Sequence, residues 1–169
     1  MQAMAANAVM AGARPEYFPA VLAAARAVLD PEYNLHGSLA TTHSCAPMIL
    51  LNGPIRNQLN VNCSSNCFGQ GRQANATIGR ALQLILMNVG GAKPGIMDRS
   101  TQGTPAKYAF CFGENEEESP WEPFHVRRGF AADDSVVTAI PAEAPHNIND
   151  HASTTGVGIL TTVAGTISQ

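Results

Sequence analysis

The stretch NATIGRALQLILMNV, from Asn75 to Val89, decides the fold: it places Ile78, Ala81, Leu82, Ile85, Leu86 and Val89 on one helical face, with Gly90-Gly91 as its stop. A face of that kind must be buried against a second layer. The flanking chain supplies one. Upstream, Pro47 to Asn52 reads as a short apolar strand, and downstream Lys107 to Phe112 reads as another. Strand, helix, strand is the unit whose right-handed crossover lays a helix over a parallel sheet.

The alternation continues outward. Ala5 to Ala11 is an apolar run expected as a strand, Gly12 breaks it, and Pro15 to Leu29 carries Phe18, Val21, Leu22, Ala25, Val28 and Leu29 at helical spacing. Asp30-Pro31 closes that helix, since proline lacks the donor and restricts its predecessor. Ser38 to Thr42 is expected as a further strand, and Gly53-Pro54 opens a short helix. Ser119-Pro120-Trp121-Glu122 fits a capping box that would start a helix toward Arg128. Ser135 to Ile140 is a β-branched strand, and Val157 to Ile167 has helical spacing. The fold expected is α/β, a mostly parallel sheet flanked by helices in a single layered domain over 1–169.

Composition bounds the function. The chain has 169 residues, 45% of them apolar and 14% charged, enough to build a core and too uncharged for disorder. A formal net charge of -3 lacks the basic footprint of a nucleic-acid binder. No apolar run approaches the ~20 residues of a membrane span. The first residues show no positive segment leading an apolar one, so the expected location is the cytoplasm. Four cysteines, Cys45, Cys63, Cys67 and Cys111, are then expected as reduced thiols.

Open α/β sheets place their sites at the carboxyl ends of strands. That rule nominates Gly12 to Arg14, His43 to Ala46, Gly113 to Glu118 and Pro141 to His151, with the irregular Asn60 to Gln73 loop reaching the same edge. His43 is a candidate acid or base, with Cys45 beside it a candidate thiol. Glu114 and Glu116 are candidate proton carriers, whereas Glu117 and Glu118 are explained as charge ahead of a helix. Arg14, after Gly12, would hold an anion, and Asn52, Asn115 and Asn147 would orient a substrate. His146, Asp150 and His151 form a candidate divalent-metal set, although H-x-x-x-x-H matches neither the i, i+4 helical zincin pattern nor a finger. Trp121 and His125 could wall a pocket. Cys63 and Cys67 make a C-x-x-x-C pair, one residue longer than the redox spacing. Gly69-Gln70-Gly71-Arg72-Gln73-Ala74 has the letters of a dinucleotide loop but follows no strand, so no dinucleotide is expected.

Four segments, Val9-Met10-Ala11-Gly12-Ala13-Arg14-Pro15-Glu16-Tyr17, Thr41-Thr42-His43, Asn52-Gly53-Pro54-Ile55 and Glu114-Asn115-Glu116-Glu117-Glu118-Ser119-Pro120-Trp121, together resemble the UGSC-motif (seleno)protein family over nearly the whole chain. The resemblance implies a longer protein with a separate Sec/Cys-Gly-Ser-Cys redox motif. This chain has no Cys-Gly-Ser-Cys, and it has Ala13 where the family often has cysteine. The departure implies one piece of a larger assembly, either a homo-oligomer or a heteromer with a second polypeptide.

The expected function is an enzyme subunit that binds a small anionic or carbonyl-containing molecule at the sheet's carboxyl edge, for redox or C-heteroatom bond chemistry. A metal-dependent hydrolase or lyase and a noncatalytic scaffold subunit are the two alternatives.

Overall fold

A computed structural model describes residues 1–168 of the chain. Helix α5 (Gln73–Asn88) lies at the centre, burying Ile78, Ala81, Leu82 and Ile85 as its spacing requires. Against it pack α1 (Gln2–Met10) and α2 (Phe18–Val28), the latter through Val21, Ala24 and Val28. The sheet has three strands, β1 (Ala46–Asn52), β2 (Cys111–Gly113) and β3 (Val136–Ala142), in the order β2-β1-β3. Ile49 and Leu51 of β1 are fully buried, and their register partners Ala139 and Val137 pack against the same core. The short helices α3 (Leu35–Ala40), α4 (Ile55–Gln58) and α6 (Phe124–Arg127), the terminal α7 (Gly156–Ile167) and three 3-10 turns complete the described elements.

The chain is thus an α/β domain, with a small mixed sheet in place of the mostly parallel one expected. β1 runs parallel to β2 but antiparallel to β3. The reason is the connection: no long helix covers the return from β2, so residues 114–135 turn at the carboxyl edge and feed β3 back down the other side of β1. Antiparallel neighbours need no crossover.

Other expectations are corrected locally. Ala5 to Ala11 lies largely in helix α1, because an alanine-rich run without period-two alternation favours the helix. The buried Asn7 fixes it: Nδ2 donates to Ala3 O at 2.8 Å, and Oδ1 accepts from Asn88 of α5 at 2.6 Å. Ser38 to Thr42 is the end of helix α3, whose cap Asn34 accepts from Gly37 N. Of Lys107 to Phe112 only the last residues pair as a strand, since Pro105–Lys107 form a 3-10 turn. The capping box at Ser119 does not form. Its Oγ accepts instead from Trp121 N in a tight turn, and helix α6 starts later, after Pro123.

Candidate functional site

Strand β1 ends on Asn52, whose side chain is fully buried where β1 and β2 both finish. Its Nδ2 donates to Glu114 Oε2 at 2.5 Å and to Glu116 Oε1 at 2.9 Å. The next amide, Gly53 N, also donates to Glu116 Oε1, at 2.8 Å. Gly53 has φ +76°, and a Cβ there would lie 1.9 Å from Asp134 O, so this turn admits only glycine. One turn further, the side chain of Arg56 is 4% exposed and every nitrogen of its guanidinium is occupied. Nε donates to Gly53 O at 3.1 Å, Nη1 to Glu114 O at 2.7 Å, Nη2 to Glu116 Oε2 at 2.8 Å, and both terminal nitrogens to Glu117 at 3.0 Å. Glu114 Oε2 receives Phe124 N at 2.8 Å, tying α6 to the same edge.

The paired guanidinium sets the local electrostatics. Its hydrogen bond holds Glu117 down at about 2. Burial alone would lower Arg56, but the hydrogen bonds it donates to Glu117 and the charges of Glu116 and Glu117 outweigh it, so Arg56 is held above its ordinary range. Cys63 is pushed up by burial, against the opposing effect of the Arg56 charge beside it. A Cβ at Gly113 would stand 2.3 Å from Cys63 Sγ, so the end of β2 must be bare for the thiol to sit there. Cys111, below it, is driven far above the usual thiol range by complete burial. Protonated thiols are weak nucleophiles.

Two atoms at this edge stay unsatisfied. Asn52 Oδ1 and His125 Nδ1 are buried without a hydrogen-bond partner among the described residues. His125 is 1% exposed; its Nε2 lies 3.4 Å from Ala132 O, and its Nδ1 faces Glu116 Oε1 across 3.9 Å, too far for a direct bond. Buried polar atoms are seldom left unpaired without a reason. A hydroxyl about 2.8 Å from each, accepting from Nδ1–H and donating to Oε1, would close the gap.

The structure brings Asn52, Glu114, Asn115 and Glu116 to one edge and sends the other nominated residues elsewhere. Asn115 acts through its carbonyl, which accepts from Glu118 N and Ser119 N. His43 and Cys45 lie at the amino end of β1, about 20 Å away along a seven-residue strand. There His43 Nε2 pairs with Glu143 at 2.8 Å, and His146 Nε2 stands 3.8 Å from the same carboxylate. Cys45 is raised mainly by burial, so its proximity to His43 in sequence yields no lowered thiol. Arg14 is exposed and borders a separate recess with Arg72 at the start of α5. Asn147 and His151 are exposed. Asp150 accepts from Ala152 N, Ser153 N and Thr162 Oγ1, bonds that hold its carboxyl well below the usual range and anchor the turn into α7. The metal set His146, Asp150 and His151 is therefore not assembled: among the described residues no group of three His, Cys, Asp or Glu could hold an ion. The expectation of one cavity shared by Arg14, His43, Asn115 and His146 is corrected likewise, because β1 separates its ends.

Arg56 and the catalytic candidacy of His125 were missed. Arg56 had a signal, being one helical turn past a strand end that faces a run of glutamates. His125 had only its neighbour Trp121, which is itself 74% exposed and walls nothing.

No helix among the described residues is long and apolar enough to cross a membrane. Searches against family models, curated proteins and solved structures find no match to this chain.

Proposed function

We propose that this chain is an enzyme subunit that binds a small molecule bearing a hydroxyl or carbonyl at the carboxyl edge of β1 and β2, and moves a proton there through Glu116. The observation that carries the reading is the pair of unsatisfied atoms, Asn52 Oδ1 and His125 Nδ1, buried beside a carboxylate that is itself held by Gly53 N and Arg56. In the Nδ1–H tautomer the ring would donate to a ligand oxygen, and where that oxygen is a hydroxyl its own proton would go to Glu116 Oε1. Arg56 is a positioning residue, since all its donors are spent. Two carboxylates on one guanidinium, with the Glu114 carboxyl beside them on Asn52, favour an uncharged ligand over an anion at this edge. Redox or C-heteroatom chemistry, and the kinship with UGSC-motif proteins, belong to this proposal.

The test is long-range ¹H–¹⁵N correlation on histidine-labelled protein, titrated with hydroxyacetone and separately with glycolate. Hydroxyacetone is expected to shift the His125 Nδ1 signal and glycolate to leave it in place; Glu116→Gln should remove the response. An unmoved His125 signal with both compounds would refute the reading. Where turnover is found, Glu116→Gln should lower it by about 10²- to 10⁴-fold.

A scaffold subunit is the second reading, favoured by α7. Val157, Ile159, Leu160 and Ile167 are all exposed on it, and none of its residues is buried. Apolar surface of that kind commonly marks an interaction site. Sedimentation of the purified chain tests this second reading, a monomer arguing against self-assembly through α7.

A further inference from the structure

A second cavity, of about 690 Å³, opens at the other end of the sheet, between the latter half of α5 and the loop through residues 94–108. The loop is tied to the amino end of β1: Ser100 Oγ donates to His43 O at 2.9 Å and Thr101 N to Thr42 O at 2.9 Å. Small-molecule sites span roughly 300 to 1,000 Å³ and combine apolar walls with a few polar groups. This cavity has that makeup, with Leu39, Met87, Ala92 and Tyr108 among its apolar walls.

Its polar groups are not equivalent. Lys107 Nζ is neutralised by Asp98 Oδ2 at 2.7 Å. Arg80 has no ion pair among the described residues, and its guanidinium lies over the Tyr108 ring, 5.6 Å from the centroid. Gln83, one turn along α5 on the cavity wall, is 9% exposed, and none of the hydrogen bonds among the described residues involves its amide. A buried amide is normally paired, and here the open side is the cavity. One uncompensated cation, one unpaired buried amide and apolar walls define a ligand class. We infer that this cavity binds a small organic monoanion with a ring-sized apolar body, its carboxylate on Arg80, its second polar group on Gln83 and its ring against Met87. Guanidinium suits carboxylate by bonding it at two points, and the methionine thioether packs well on a ring. The inference is independent of the Glu116 edge.

The experiment uses the full chain with three matched probes: indole-3-acetate, indole-3-acetamide and tryptamine. Amide shifts should fall on residues 80–108, and the acetate should bind about tenfold or more tightly than the acetamide, with tryptamine weakest. In Arg80→Met, with circular dichroism unchanged, the acetate should lose that preference while the acetamide keeps its affinity. Gln83→Leu should weaken both. Equal binding of acetate and tryptamine, shifts confined to another surface, or no acetate binding at about 10 mM would overturn the proposal. Should Arg80→Met fail to fold, the wild-type ranking of the three probes decides alone.

Discussion

Replacing Arg56 by Met tests the brace at the carboxyl edge. Methionine keeps most of the aliphatic stem that lies against Gly113 and removes the five donated hydrogen bonds. The bonds differ in weight. Glu117 is 58% exposed in its side chain, so that pairing contributes about 0 to 1 kcal/mol. Glu116 is 12% exposed, and the variant leaves its charge beside Glu114 without a counter-ion. Breaking a buried pair from one side costs about 3 to 5 kcal/mol. That is a large share of a typical stability of roughly 5 to 15 kcal/mol. Urea unfolding followed by circular dichroism reads the loss at pH 7. The double variant Arg56→Met/Glu116→Gln should regain part of it, because the stranded charge is gone. The pH dependence has a definite sign: Glu117 is depressed to about 2, so its pairing stabilises above the ordinary carboxylate value and fades as pH falls toward 2. The gap between wild type and Arg56→Met should therefore narrow on acidification. A loss below about 1 kcal/mol at pH 7, with no recovery in the double variant, would show that the pairs do not hold this edge.

Other perturbations follow from the same geometry. Gly53→Ala should destabilise by more than about 1 kcal/mol in the same denaturation, because the turn needs positive φ and the new methyl would strike Asp134 O. Iodoacetamide at pH 7 should label the native chain slowly at all four cysteines, each raised chiefly by burial, and Cys111 should react only after unfolding, as peptide mapping would show. Asp150→Ala should raise amide exchange at Ala152, Ser153 and the middle of α7 around Thr162, whose side-chain anchor is lost.

What the sequence disclosed was periodicity. The α5 face up to Leu86, the Pro47–Asn52 strand and the short helix after Gly53-Pro54 depend on spacing and turn chemistry within a few residues, and these recur in the structure, whereas Val89 falls past the helix end and is exposed. The strand assigned to Ala5–Ala11 failed because an apolar run lacks a period, and alanine's helix preference decided it. The direction of β3 was hidden because it depends on how residues 114–135 return. Of the site, Asn52 and Glu116 were reachable from strand ends, while His125 was not: its burial is set by packing of α6, which no local pattern announces.

Strand β1 acquires both neighbours late. Ile49 finds its register partner Cys111 after 62 further residues, and Ala139 later still. At ribosomal rates of about 5 to 20 residues per second, the middle strand waits roughly 3 to 12 seconds with its hydrogen-bonding groups unclaimed. During synthesis the domain is therefore most open to misassociation in its own centre, and slowing elongation between residues 52 and 111 should lower the yield of native protein more than slowing it within α1 or α2.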